Sequence, residues 1–260
     1  MSNFQERHLP IILKDEEWLI KQRIAGKTVA GILKTIRELL TSKTPNLNLL
    51  DLEAEADQQL AAAHCLPTFK GYKGFPSSIC LSVNKQLVHG IPKNYLIQNG
   101  DVVKFDLGAT FEGVIADAAE TAIYGEPKSF QHIQLLETCK KSLEQAIQSV
   151  SVGKQLGCIG YAIHRYVTKS SRFGIINNYG GHGININQPH APPFVFNKAN
   201  FNEGPRIQTG LTIAIEPMLT IGEAKTKLDE DGWTVWTPDI NAHFEHSIYV
   251  HSDRVEIITQ

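Results

Sequence analysis

The 260-residue sequence predicts an α+β domain made of two related halves. Apolar residues at helical spacing come first, strand-forming residues follow, and the same order then occurs a second time along the chain. No low-complexity tract or long linker interrupts the sequence. We therefore expect residues 1–15 to form an N-terminal segment and residues 16–260 to form a single domain.

Four segments place apolar residues at three- and four-residue steps, which is the period of an amphipathic helix. They are residues 16–41, 50–63, 128–149 and 154–170. In the first segment most basic residues fall between the apolar positions. The sequence therefore predicts two helices before the first strand-rich region and two after it.

Strand-forming residues dominate much of the remaining sequence. The short segment 79–83 is rich in β-formers, and residues 101–124 are typical of a hairpin with its turn near Glu112-Gly113. Further strands are expected around His182 and at residues 211–220, 234–236 and 243–250, with a turn at Asp231-Gly232.

Composition and charge argue against several classes of protein. The chain has 25 basic and 27 acidic residues, and phosphate binding usually needs a basic excess, so nucleic acid is not expected as its main partner. It has no run of about 20 apolar residues for a membrane helix, and its N-terminus does not resemble a secretory signal. Four widely spaced cysteines without a CxxC pair favour reduced, mostly buried thiols. These features together favour a cytoplasmic protein.

Two aspartates lie symmetrically about the expected hairpin turn. Asp106 and Asp117 are centred on position 111.5, so we expect them to face each other across the two strands, with Cβ atoms about 5 Å apart. Two ionised carboxylates this close repel each other unless a cation lies between them. The pair therefore indicates either a divalent metal site or two solvated surface aspartates.

Three further segments favour the metal site. His182 stands among glycines, which allow backbone and substrate to approach closely, and Glu216 and Glu245 each stand within an apolar strand segment. A glutamate rarely points into a core unless it is paired or bound to metal. Each acid alone is more often found at a strand edge, but the combination in one domain points to a metal centre.

In their order and spacing, these segments resemble those of bacterial-type (type I) methionine aminopeptidases, from about Ile20 to Val250. The resemblance implies the pita-bread fold, in which two pseudo-symmetric halves surround a central antiparallel sheet. It also implies the metal ligands, which match Asp106, Asp117, His182, Glu216 and Glu245. Asp117 and Glu245 match the two ligands that bridge both metals.

The family's activity is the removal of the initiator methionine from nascent proteins whose second residue is small, and the resemblance implies the same activity here. It implies two divalent ions as cofactors, and all-oxygen ligation with a single nitrogen suits Mn²⁺, Fe²⁺, Co²⁺ or Zn²⁺. Glu216 would accept the proton of the attacking water, while His89 and His190 would bind and orient the substrate amide. The methionine side chain would contact Tyr72, Phe75, Cys80, Trp233 and Cys65. Nascent N-termini at the ribosome are the implied partners, and a monomer is the default.

One segment departs from the family pattern. The second substrate histidine usually follows the glycine-flanked histidine by seven residues, whereas His190 follows His182 by eight. Asn185 stands where the family has glycine, and Ala191 where it has glutamate. The departure leaves open a paralogue with a narrowed substrate range, or a non-catalytic peptide-binding role. Proline-specific aminopeptidases, type II methionine aminopeptidases and creatinase-like enzymes are disfavoured by the length and spacing of the chain.

Overall fold

The computed structural model of the chain describes residues 10–260, so residues 1–9 of the expected N-terminal segment lie outside the described residues. Within residues 10–260 there are four α-helices, a short 3-10 helix at Tyr72–Gly74, and fifteen β-strands. The helices are α1 (Glu16–Thr41), α2 (Leu49–Ala62), α3 (Phe130–Ser149) and α4 (Gly157–Ser170). The strands are β1 (Leu66–Pro67), β2 (Ile79–Val83), β3 (Gln86–Val88), β4 (Val102–Phe111), β5 (Val114–Ile123), β6 (Gly174–Ile175), β7 (Gly181–Asn185), β8 (Gln188–Val195), β9 (Thr212–Ile215), β10 (Met218–Thr220), β11 (Lys227–Leu228), β12 (Val235–Trp236), β13 (Asn241–His243), β14 (Glu245–Val250) and β15 (Val255–Ile257).

The four predicted helices are confirmed, with ends that differ from the prediction by three residues at most. Helix α1 begins where Asp15 accepts a hydrogen bond from the Trp18 amide at 2.9 Å. Helix α2 begins with a reciprocal cap, because Asn48 accepts from the Leu50 amide and Asp51 accepts from the Asn48 amide. None of the helices in this part of the chain has the length and apolar character that crossing a membrane requires.

One antiparallel sheet joins the two halves of the molecule. Its strand order is β1-β4-β5-β14-β9-β7-β8, with β2 also paired to β4 and β15 paired to β14. Strand β14 lies between the β4–β5 hairpin of the first half and β9 of the second half. Two smaller sheets have the orders β13-β10-β6 and β11-β12-β3.

Each half has its own apolar cluster, which confirms the prediction of two related halves. The first cluster joins α1 and α2 to the β4–β5 hairpin through residues that include Leu19, Ile32, Leu52 and Phe105. The second joins α3 and α4 to β9 and β14 through residues that include Leu135, Ile159, Ile213 and Ile248. The sheet therefore carries a helix pair in each half, and its central strands lie between the two cores.

The expected direct pairing of Asp106 with Asp117 is wrong, because the observed pairing is displaced by two residues. In the hairpin, Asp106 lies opposite Ala119 and Asp117 lies opposite Gly108. The turn is Glu112-Gly113, where both residues have positive φ (48° and 81°), as a tight two-residue hairpin turn requires. The turn is therefore centred one residue later than 111.5, and the two aspartates are diagonal neighbours on the same face of the hairpin.

Two of the expected strands are interrupted at the same place. Residues 211–220 divide into β9 and β10 at Glu216-Pro217, and Phe244 separates β13 from β14. Strand β9 pairs with β14 in the large sheet, whereas β10 pairs with β13 in a small one. Glu216 and Glu245 therefore lie at the same boundary between the two sheets.

Strand β8 was not predicted from the sequence. It contains Pro189, Pro192 and Pro193, and a proline cannot donate a hydrogen bond to a neighbouring strand. The strand tolerates them because it is the last in the sheet order, so only one of its sides is paired.

Candidate metal centre

Acidic and imidazole side chains from several strands meet at the boundary between the large and small sheets. His182 on β7 lies at the centre of the group. Its Nε2 atom is 3.7 Å from Asp117 Oδ2, 3.5 Å from Glu216 Oε1 and 4.0 Å from Glu245 Oε1. All four side chains are buried. The structure thus brings together four of the five side chains that the sequence analysis assigned to a metal centre.

The fifth of those side chains, Asp106, belongs to the same group. It lies on β4, on the same face of the hairpin as Asp117. Its Oδ1 atom is buried and has no hydrogen-bond partner among the described residues. A buried carboxylate oxygen without a partner is costly, so this atom indicates a ligand at the site.

Local sequence explains how these side chains come so close. A Cβ atom on Gly183 would overlap the backbone of Pro192, so only glycine lets β7 and β8 pair tightly beside His182. Asp117 is oriented by Ser247 on β14. The Ser247 hydroxyl lies 2.8 Å from Asp117 Oδ1 and accepts the Asp117 amide at 3.0 Å.

Burial and mutual repulsion perturb the carboxylates. Burial, with the nearby Glu216 and Asp117, raises the pKa of Asp106 to about 7, and burial is also the main reason why the pKa of Asp117 is raised. Burial and three neighbouring carboxylates raise the pKa of Glu245 well above its usual value. Burial acts in the same direction on Glu216, but the imidazoles of His243 and His182 outweigh it and lower its pKa. A bound cation would offset the mutual repulsion that helps to raise the pKa values of Asp106, Asp117 and Glu245.

His243 is a member of the group that the sequence analysis missed. It is 1% exposed, and its Nε2 atom lies 3.4 Å from Glu216 Oε2 and 3.9 Å from Glu245 Oε2. The signal was present in the sequence, because His243 stands two residues before Glu245 in a largely apolar strand segment. A buried histidine in such a position, like a buried acid, indicates a bound partner.

The donor set fits divalent metal ions. Two groups of side chains, Asp117-His182-Glu245 and Glu216-His243-Glu245, each offer three ligand atoms within 4.8 Å of one another. Carboxylate oxygen and imidazole nitrogen are ligands that first-row divalent metals accept. Glu245 belongs to both groups.

Two histidines border the accessible side of this group. His89 has a positive φ of 58° and is partly exposed, and its desolvation, the largest effect, lowers its pKa to about 4. His190 on β8 is exposed, with its ring centroid 4.6 Å from that of His182 and 5.5 Å from that of Tyr72. Their role in contacting a substrate stays a prediction.

An apolar cluster lies near the acidic group. Phe69, Phe75 and Cys80 are buried together, with Ile91 and Trp233 packed against them. Phe75 and Trp233 meet edge to face, with ring centroids 5.1 Å apart. Cys80 lies directly opposite Asp106 in the β2–β4 pairing, so the cluster adjoins the carboxylates.

Two of the expected pocket residues lie outside this cluster. Cys65 packs instead into the core of the first half, where its sulfur lies 3.6 Å from the Thr28 hydroxyl on α1. Phe69, four residues later, packs in the cluster where Cys65 was expected. Tyr72 contacts the ring of His190 rather than the cluster. All four cysteines are buried free thiols, as the sequence predicts.

Comparisons with known proteins agree with this geometry. A model of metallopeptidase family M24 matches residues 21–252. Methionine aminopeptidase of Mycoplasma capricolum is 38% identical over 96% of this chain and 98% of its own length, and methionine aminopeptidase 1 of Bacillus subtilis is 36% identical over 96% and 99%.

Solved structures show the same relationship. The crystal structure of methionine aminopeptidase from Thermotoga maritima has a TM-score of 0.92 and 33% identity, covering 96% of this chain and 100% of that one. A prolidase from Pyrococcus furiosus, with a TM-score of 0.74, 16% identity and coverage of 96% and 65%, bears on the fold alone. These likenesses confirm the pita-bread fold. The chain therefore belongs to metallopeptidase family M24, within its methionine aminopeptidases.

Proposed function

We propose that this chain removes the N-terminal methionine from proteins and peptides whose second residue is small. The observation that most supports this activity is the group of His182, three buried carboxylates and the half-buried Asp106, which lies beside an apolar cluster that contains aromatic rings. The catalytic unit would be a single domain of residues 16–260. Its substrates would be nascent chains at the ribosome in the cytoplasm, and the enzyme would act as a monomer.

Two divalent ions are the proposed cofactors, held by Asp106, Asp117, His182, Glu216 and Glu245. When bound, such ions lower the pKa of a water molecule from 15.7 to about 7 and polarise the carbonyl that is attacked. Mn²⁺, Fe²⁺, Co²⁺ and Zn²⁺ all suit oxygen and imidazole ligands. Cys80 supplies no thiolate, because burial and the nearby Asp106 and Glu245 raise the pKa of its thiol well above the usual value.

The chain's own residues would then move protons and orient the substrate. Glu216 has a lowered pKa, so it is ionised at neutral pH and can accept a proton from the attacking water. His89 is neutral at pH 7, because its pKa is about 4, and its single ring N–H can donate to the carbonyl oxygen of the substrate amide. His190, whose ring lies 4.6 Å from that of His182, would do the same.

The side chain of the first residue would enter the cluster of Phe69, Phe75, Cys80, Ile91 and Trp233. Methionine is unbranched and its sulfur contacts aromatic rings favourably, so it suits an irregular, aromatic-lined space. A branched leucine has neither property.

Peptides that differ only in the first residue test this assignment. With added Mn²⁺ or Co²⁺, the protein should cleave Met-Ala-Ser at least about tenfold faster than Leu-Ala-Ser. Phe75→Ala should reduce kcat/KM for Met-Ala-Ser, whereas Phe196→Ala, which removes an exposed aromatic outside the cluster, should not. Equal rates on the two peptides would exclude a methionine pocket.

A narrowed substrate range is the second candidate, favoured by the β7–β8 hairpin. A cavity of 160 Å³ lies beside Tyr72, and its lining includes Leu66, Asn187 and Pro189. Asn187 and Pro189 belong to the segment whose spacing departs from the family pattern. Cleavage rates on Met-Ala-Ser and Met-Ala-Phe distinguish the two candidates. A broad-range enzyme cleaves both peptides alike, whereas an enzyme with a narrowed range cleaves them at different rates. Met-Lys-Ser, whose second residue is large, is the control that neither enzyme should cleave well.

A further inference from the structure

Two glutamates of the centre lie between two imidazoles. The Oε1 atoms of Glu216 and Glu245 face His182, at 3.5 and 4.0 Å from its Nε2. The Oε2 atoms of the same two residues face His243, at 3.4 and 3.9 Å from its Nε2. His243 therefore faces the two Oε2 atoms in the same way as His182 faces the two Oε1 atoms.

The position of His243 is fixed by its backbone. Its amide donates to the Thr121 hydroxyl at 3.0 Å, and its carbonyl accepts from the same hydroxyl at 2.6 Å. It also pairs with Met218 across the β10–β13 sheet. The backbone contacts of β13 with β5 and β10 thus fix the position from which the ring faces the two glutamates.

His243 is almost fully buried, with 1% of its surface exposed, and yet its ring nitrogens have no hydrogen-bond partner within residues 10–260. Its separations from the two glutamate oxygens exceed the 2.7–2.9 Å that is usual for a charge-assisted hydrogen bond. Two ligand atoms that bind one ion at about 2.0–2.2 Å lie about 3.0–3.5 Å apart. The 3.4 Å distance to Glu216 matches this value.

We propose that His243 is a metal ligand, so that each of the two ions has one imidazole nitrogen, from His182 and His243 respectively. This inference rests on the proposed two-metal centre. Glu245 belongs to both three-residue groups and joins the two ions. A second imidazole favours borderline ions such as Fe²⁺, Co²⁺ and Zn²⁺ over Mn²⁺, which prefers oxygen ligands.

Metal titration of the chelator-treated protein tests this assignment. Anaerobic addition of Co²⁺ is followed by calorimetry and by the visible absorption of the bound ion. The wild-type protein should bind two ions. His243→Gln should keep the first affinity, lose about tenfold or more in the second, and change the Co²⁺ absorption. His164→Gln, which removes a histidine on α4 remote from the centre, is the matched control.

Glutamine separates a ligand from a hydrogen-bonding role, because its amide can still donate to Glu216 but offers no imidazole nitrogen. If His243→Gln kept the second affinity and the same absorption, the assignment would be overturned while the proposed function stood. If the wild-type protein bound no Co²⁺, the proposed function itself would fail.

X-ray absorption of the Co²⁺-loaded wild-type protein provides a test that needs no variant. Imidazole rings give characteristic scattering from their outer atoms, so the number of rings per ion can be fitted. We expect one imidazole for each ion. One imidazole for every two ions would overturn the assignment.

Discussion

At the scale of single residues, the centre depends on side chains that hold the acids in place. Ser247 is fully buried, and its hydroxyl contacts both the carboxylate and the amide of Asp117. Groups that orient metal-binding side chains commonly affect metal affinity almost as much as the ligands do. Ser247 is such an orienting group for Asp117.

Ser247→Ala should therefore weaken metal binding by about 10- to 100-fold. Calorimetric titration with Co²⁺ measures the change. Ser142→Ala is the matched control, because Ser142 is equally buried but its hydroxyl donates to the Cys139 carbonyl within α3. Equal metal affinity in the two variants would contradict the role assigned to Ser247.

The residue scale also shows what the sequence could not reveal. Asp106, Asp117, His182, Glu216 and Glu245 could be selected because an acid or a glycine-flanked histidine stands out in a strand. Phe69 could not, because an aromatic residue in a Gly/Pro-rich region looks like ordinary loop packing until the chain is folded. Cys65 was misplaced for the same reason, since it packs in the core of the first half and Phe69, beyond β1, packs in the cluster.

At the scale of elements, α1 was predicted with its observed ends, and so was β2. Both carry a clear local pattern, and α1 also has a capping aspartate. The breaks at Glu216-Pro217 and Phe244 could not be predicted, because the apolar pattern continues through them. They arise from pairing with two different sheets, which depends on residues far away in the sequence.

Two glycines of α1 have opposite environments. A Cβ atom on Gly26 would overlap the backbone of Ile258, whereas Gly31 has open space around it. Gly31→Ala should raise the free energy of unfolding by about 0.5–1 kcal/mol, because alanine restricts the unfolded chain. Gly26→Ala should lower it by about 1–3 kcal/mol through overpacking. Denaturant unfolding compares the pair, and a stabilising effect at Gly26 would show that the C-terminal segment does not pack there.

An ion pair links α1 to the last strand and predicts a pH dependence. Arg23 donates two hydrogen bonds to Glu256 on β15, at 2.7 and 2.9 Å. Arg23, together with His251, outweighs the effect of burial and lowers the pKa of Glu256 to about 2. Because this pKa lies below the ordinary value of 4.5 for a glutamate, the stabilisation is present above pH 4.5 and is lost as the pH falls toward 2.

Glu256→Gln should therefore be less stable than the wild type at pH 7, by about 1 kcal/mol for a partly exposed pair. The difference should shrink between pH 4.5 and pH 2. Urea unfolding across this range measures it. A difference that stayed constant down to pH 2 would mean that the ion pair does not stabilise the fold.

At the scale of the whole molecule, the two halves contribute different parts of one centre. Asp106 and Asp117 come from the hairpin of the first half, while His182 and Glu245 come from strands β7 and β14 of the second half and Glu216 from the break between β9 and β10. Strand β14 joins the two, since it pairs with β5 on one side and β9 on the other. The repeated order of helices and strands in the sequence predicted the halves, but only the folded sheet shows that the site forms where they meet.

The most direct test of a two-metal aminopeptidase combines metal content with cleavage in one preparation. Protein purified anaerobically should contain two divalent ions per chain and release methionine from Met-Ala-Ser, and excess chelator should remove both properties. Asp117→Asn, with an unchanged circular dichroism spectrum, should lack both as well. Full cleavage by the metal-free protein, or by Asp117→Asn, would contradict the account.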